Sequence, residues 1–245
     1  MLADEFIKTG NWLFRWRSYL PLALLVLAVP AVADSTRRYG EHLLNPAWSW
    51  LALLVAFSGL AVRVLTVGYV PAGTSGRNTL RQVAATLNAT GMYSLVRHPL
   101  YLGNFLMWFG LALLPRCWWF TAITVLIFWL YYERIMFAEE GFLLEQFGEP
   151  YRQWAARTPA FIPKFANWVK PDLPFSFKSV ISREYATFFT IIAIFTGFQA
   201  IMGWFSRGVL LPDRSVTTLF VIGLSAYVMI RLIKKNTRLL RAEGR

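Results

Sequence analysis

Six apolar runs, each bounded by charged or turn-forming residues, constrain this chain more than any other feature. They fall at about 19–33, 47–70, 99–114, 118–132, 186–205 and 216–233. Backbone polar groups find no water in a bilayer core, so a run of ~20 apolar residues crosses it as a helix, with every N–H and C=O paired internally. The runs therefore predict an all-α integral membrane protein of about six transmembrane helices. Composition agrees: 56% of the 245 residues are hydrophobic and only 16% are charged, which excludes an ordinary water-soluble domain.

The segments between the runs set the orientation. The net charge is +12. With the N-terminus inside, 19 of the 25 Lys and Arg fall on inner segments and 5 on outer loops. The positive-inside rule then predicts cytoplasmic N- and C-termini. The same charge reads as basic membrane loops, with no basic run interleaved with aromatics to suggest nucleic acid. Cys117 is the single cysteine and excludes an internal disulfide. His42 and His98 have no ligand-spaced partners, which argues against a zinc or haem site.

Three stretches are expected to frame the centre of the chain. Residues 1–77 read as a retained interfacial helix rich in Trp12, Phe14 and Trp16, then two spans joined by a polar loop at 34–46, with Pro30 a possible kink in the first. Arg63, an intramembrane arginine and so a functional candidate, lies near the end of the second span and reads more simply as a side chain reaching for the interface. Residues 71–90 read as a turn-rich loop marked by Gly73, Thr74, Ser75 and Gly76. Residues 164–185 read as a Pro-, Lys- and Phe-rich link, and the last two spans, with Gly197 and Gly203, as support for the fold. This gives three regions: 1–77, 78–163 and 164–245.

The middle region carries the chemistry. In GMYSLVRHPLYLG, residues 91–103, Pro99 suits the first position of a helix and His98 its N-cap. The N–H groups of Leu100 to Leu102 would then favour a small anion. A tight turn at Pro115 and Arg116 returns the next helix antiparallel. Its continuation brings Glu139 and Glu140 back to the same side, ahead of Leu143, Leu144 and Phe147 at helical spacing. Gly148 reads as the stop, and Pro150 as the start of a short helix bearing Tyr151 and Trp154. An anionic group at the Arg97–His98 helix start and a cationic one at the acids together describe a zwitterion. The alternative is a membrane-surface helix start whose Arg and His meet lipid phosphates, facing an amphipathic helix with solvated acids.

These residues form two ordered patterns. The first, G-x-Y-x-x-x-R-H-P-x-Y-x-G, is carried by Gly91, Tyr93, Arg97, His98, Pro99, Tyr101 and Gly103. The second, E-E-x-x-L-x-x-x-F-G-x-x-Y, is carried by Glu139, Glu140, Leu143, Phe147, Gly148 and Tyr151. Over about residues 78–163 the chain resembles the isoprenylcysteine carboxyl methyltransferases and their phospholipid methyltransferase relatives. The resemblance implies a membrane methyltransferase using S-adenosylmethionine without a Rossmann domain, acting on a lipid or lipid-linked acceptor. It places the cofactor against Ala85, Thr86, Leu87, Asn88, Tyr93, His98, Pro99, Leu100 and Tyr101. Of the acids Glu139 and Glu140, Glu139 would take its amino group. On chemical grounds the acceptor is a carboxylate, a phosphate or an amine: either anion would need only Arg134 or Arg97 to orient it, whereas an amine would need His98 or a Glu to take its proton. At the position of the family's substrate arginine, four residues before Glu139, this chain has Ile135, and Arg134 is one residue off. Two rivals remain open: an NADPH-dependent membrane reductase of the steroid or sterol type, which shares R-H-x-x-Y, and a noncatalytic scaffold or transporter component.

Overall fold

The computed structural model describes residues 2–17, 19–71 and 84–242. The turn marked by Gly73 to Gly76, the basic residues Arg77 and Arg81 and the boundary at 77/78 lie outside the described residues. Among those described, all regular structure is helical.

The chain opens with α1 (Leu2–Trp16) and, after a 3-10 turn at Leu20–Ala23, α2 (Leu24–Tyr39). The two limbs Glu5–Trp16 and Pro21–Leu44 meet at 71°. The first helix does more than float at an interface: it lies on the helix that carries Tyr131 and Phe137, with Phe6 edge-on to Phe137 at 5.9 Å and Tyr131 donating to the Leu13 carbonyl at 2.9 Å. Residues 34–46 are not the expected loop. The second helix runs on to Tyr39 with Pro30 inside it, and a 3-10 turn at Gly40–Leu44 follows.

Next comes α3 (Pro46–Tyr69), capped by the Asn45 side chain accepting from Trp48 N–H at 3.1 Å. A single helical turn, α4 (Met92–Leu95), precedes α5 (Pro99–Leu113), and α6 (Trp118–Phe147) returns antiparallel to it. Gly148 at φ 56° ends the sixth helix in a conformation that favours glycine, and α7 (Glu149–Arg157) starts with Pro150 in its first turn. The last pair is α8 (Phe177–Arg207) and α9 (Arg214–Asn236). The expected link to 185 is shorter than predicted, because Ser176 caps Ser179 N–H and starts the eighth helix nine residues before Ala186.

Each of the six apolar runs is helical. Four helices, at Pro46–Tyr69, Trp118–Phe147, Phe177–Arg207 and Arg214–Asn236, are long and apolar enough to cross a membrane. The bent α1–α2 pair makes a fifth if it counts as one span. Pro99–Leu113 is apolar but short, ~22 Å at ~1.5 Å per residue against a hydrocarbon core of ~30 Å. The sixth helix, at ~45 Å, exceeds that core.

Lipid tails are as apolar as leucine, so helices here are held by close packing rather than by exclusion from water. Small residues supply it between α3 and α5. A Cβ at Gly59 would strike the Gly103 carbonyl, and one at Gly103 would sit 2.7 Å from the Gly59 carbonyl; Gly110 lies against Ala56 in the same way. One buried cluster, around Ala56, Leu60, Leu111, Ile191, Phe195 and Met202, joins these helices to α2 and α8. A second, Phe14, Tyr101, Phe128, Tyr132, Ile135 and Met136, joins α1, α5 and α6.

Candidate active site

The loop entering α5 is held rigidly from the far side. Arg97 N–H donates to the Pro159 carbonyl at 2.8 Å, His98 N–H to Ala160 at 3.3 Å and Lys164 N–H to Leu95 at 3.0 Å. Trp154 Nε1 donates to the Tyr93 carbonyl at 3.1 Å. This clamp explains why the segment after α7 belongs with the helix start. His98 takes the N-cap position, but its ring caps nothing; its carbonyl accepts from Tyr101 and Leu102 N–H, each at 3.1 Å. The helix tip therefore offers fewer free donors than the three expected at Leu100 to Leu102.

The ring is engaged elsewhere. His98 Nε2 lies 2.9 Å from Glu140 Oε1, and Nδ1 lies 3.4 Å from Glu139 Oε2. Arg97 Nε stands 3.3 Å from the same Glu140 oxygen. The basic motif and the acids are thus in direct contact, where a gap for a zwitterion was expected. Arg97 and His98 from one half of this contact and Glu139 from the other all line one cavity. Burial alone would lower the His98 pKa, but hydrogen bonds and charge from Glu139 and Glu140 outweigh it and hold the imidazole above its ordinary value. Burial, together with the Glu139 charge, holds the Tyr93 phenol above its usual range.

The cavity has a volume of about 650 Å³. Thr86, Leu87, Asn88, Tyr93, Arg97, His98, Pro99, Leu100, Tyr101 and Glu139 all line it, so ten of the sequence-selected residues share one wall system. Three selected residues stand off the wall. Ala85 is exposed while its neighbour Ala84 lines the cavity. Glu140 stands behind His98. Arg134 turns to α1, its guanidinium 4.9 Å from the Phe6 ring centroid and its Nη1 on the Leu130 carbonyl. Ile135 is fully buried in the cluster with Phe14 and Tyr132.

Sequence reading missed the rest of the wall. Along α5, His98, Tyr101, Asn104, Met107, Trp108 and Leu111 recur at spacings of three and four and line the cavity as one stripe. The stripe passes from charged through amide to apolar. Opposite it stand Thr187, Thr190, Ile191 and Ile194 of α8, so this helix is cavity wall as well as support. Arg63 does not reach for the interface. Its Nε and Nη2 donate to Glu184 at 2.9 and 2.8 Å, and its Nη1 donates to Asn104 Oδ1 at 2.8 Å. Asn104 Nδ2 in turn donates to the Tyr132 hydroxyl at 3.0 Å. The charge of Arg63 inside an apolar run was the available signal; Glu184 fell in the expected link, and nothing local pairs residues 121 positions apart.

A helical membrane fold with a charged, aromatic cavity at the start of a short helical hairpin defines the class. The family model for phospholipid methyltransferase matches residues 48–150. The chain is 35% identical over 165 residues to the nickel-cobalt-cadmium resistance protein NccN of Alcaligenes xylosoxydans xylosoxydans, covering 66% of this chain and 69% of that one. It is 36% identical over 121 residues to the cobalt-zinc-cadmium resistance protein CzcN of Cupriavidus metallidurans, covering 48% and 53%. A protein-S-isoprenylcysteine O-methyltransferase of Schizosaccharomyces pombe is 33% identical over 73 residues, 30% of this chain and 31% of the relative. The match thus spans about half the length of CzcN. No solved structure matches the chain. The chain belongs to the phospholipid methyltransferase family, and it is a multi-pass membrane protein.

Proposed function

We propose that this chain transfers a methyl group from S-adenosylmethionine to a lipid or lipid-linked acceptor at the cytoplasmic face of the membrane. One observation carries the reading. A single cavity runs from a wall of Tyr93, Arg97, His98 and Glu139 to an apolar wall between α5 and α8.

The residues present fit the donor. Glu139, with 29% of its side chain exposed, suits an ammonium. Arg97, which lines the cavity beside its ion pair with Glu140, suits a carboxylate. Tyr93, Tyr101 and Trp154 offer rings, and Asn88 an amide, to a purine. When bound, S-adenosylmethionine supplies an electrophilic methyl group on a sulfonium.

The chain's own task is to align acceptor and methyl in a water-poor space, which alone accounts for much of the rate of such a displacement. His98 has both ring nitrogens occupied, Nε2 by Glu140 and Nδ1 by Glu139, which leaves neither open to take an acceptor's proton. The wall therefore suits an acceptor oxygen that is anionic already, a carboxylate or a phosphate, and needs no base. The S. pombe relative is an O-methyltransferase, which supports an oxygen acceptor. The 19 to 5 distribution of basic residues supports the cytoplasmic side.

The test is incubation of the purified chain with radiolabelled S-adenosylmethionine and a total lipid extract. Label is expected in the lipid fraction and is expected to disappear with Glu139→Gln. No label in any fraction with the unaltered chain overturns the reading.

A further inference from the structure

We infer that Arg63 is the acceptor-binding arginine of this chain: it presents its guanidinium to an anionic oxygen group, carboxylate or phosphate, carried on an apolar chain. The inference rests on the methyltransferase reading and names the substrate class of its cavity.

On the sixth helix no cation is available for this role. Ile135 is buried, and Arg134 lies over Phe6 on the far face. Arg63 comes instead from α3 and crosses α5 over Gly103, where a Cβ would sit 2.6 Å from its Cγ. The missing side chain at Gly103 is what lets the arginine into the cavity. Of its five N–H bonds, three are engaged by Glu184 and Asn104. One remains on Nη1 and one on Nη2, charged donors left over for an anion. Arg17 and Arg183 also reach the cavity, at the α1 corner and the start of α8. Arg63 differs in its connection to the donor end. His98 stacks on Tyr101 at 5.6 Å, Tyr101 meets Tyr132 at 4.9 Å, and Tyr132 accepts from Asn104, which holds Arg63.

The surroundings match the ligand. Past Arg63 the wall is Met107, Trp108, Leu111, Ile191 and Ile194, a lining for hydrocarbon. An ion pair sunk between helices has to recover a large desolvation cost, and apolar residues of the same size commonly pack there with no loss of stability. Packing alone therefore gives no reason for the Arg63–Glu184 pair to face a cavity. Recognition of an anion does.

Trp108 on the apolar wall allows a direct test with bromine-quenched fluorescence in nanodiscs. The probes are 9,10-dibromostearate, a brominated phosphatidic acid and the neutral methyl ester of dibromostearate. Trp108→Phe identifies the part of the signal that comes from the wall, since the chain has 11 tryptophans. In the unaltered chain an anionic probe is expected to quench at about tenfold lower concentration than the ester, the worth of a charge-assisted bond. Whichever of the two anions does so identifies the head group. The double variant Arg63→Gln with Glu184→Gln removes both charges together and is expected to abolish that preference. Arg63→Lys keeps the ion pair but loses the fork, and is expected to show an intermediate preference. If the double variant fails to fold, the lysine variant decides. An undiminished preference in the folded variants, or no preference in the unaltered chain, overturns the assignment of Arg63. S-adenosylhomocysteine titration of the same samples separates the two claims: no binding to the unaltered chain defeats the methyltransferase reading, whatever the lipids do.

Discussion

Two charged clusters stand on the cavity wall, and they are built on different terms. At the start of α5, Arg97 and His98 share Glu139 and Glu140, whose side chains are 29% and 27% exposed. Between α3 and α8, Arg63 meets Glu184, which is only 4% exposed. The acids of the first cluster are part-exposed and the acid of the second is buried, so a partner lost to a ligand costs less at the first. The second holds its geometry whether or not a ligand is present. A donor that must enter and leave from water suits the first, and an acceptor read by a fixed guanidinium suits the second.

The contrast is broken most easily at Glu184. Glu184→Ala strands the Arg63 charge and is expected to cost about 3–5 kcal/mol, measured by thermal or denaturant unfolding in detergent. Arg63→Met with Glu184→Leu is expected to recover most of it. A stable single variant would show that water reaches the pair after all. Geometry gives the next largest effect. Gly103→Ala sets a Cβ against Arg63 Cγ and the Gly59 carbonyl and is expected to cost about 1–3 kcal/mol in the same assay.

The first cluster answers to pH. The His98 pKa is raised by its two carboxylates, so its contribution to stability is complete below the unfolded value of about 6.5 and declines as pH rises through the folded value. Unfolding midpoints taken across neutral pH are expected to fall on the alkaline side, and His98→Gln is expected to flatten that profile. The smallest change belongs outside both clusters. Arg134→Gln loses a cation–π contact with Phe6 and is expected to shift stability by about 0.5–1 kcal/mol.

The first cluster was far more legible in the sequence than the second. Pro99, Gly148 and Pro150 set helix starts and stops through backbone restrictions that act locally, and the short turn at Pro115 brought Glu139 back toward His98. Their direct contact was not legible, because spacing along a hairpin gives the level of a residue but not the direction of its side chain. Arg63 shows the deeper limit. An arginine inside an apolar run has the same sequence signature whether it reaches the interface or pairs across the bundle, and Glu184 lay in what read as a link. The stripe from His98 to Leu111 was missed, since in a helix that is apolar nearly all round a spacing of three and four marks no one face. The helix opposite it was missed as well, since packing partners in lipid are chosen by shape, and small residues such as Gly59 and Gly103 carry no hydrophobic pattern.

Calorimetric titration of S-adenosylhomocysteine into the chain in nanodiscs, unaltered and as Glu139→Gln, tests most directly whether the donor lies against the His98–Glu139 wall. Saturable binding to the unaltered chain, weakened about tenfold or more in the variant, is the result predicted from a charge-assisted bond to the amino group. Equal affinity in both, or binding to neither, contradicts it.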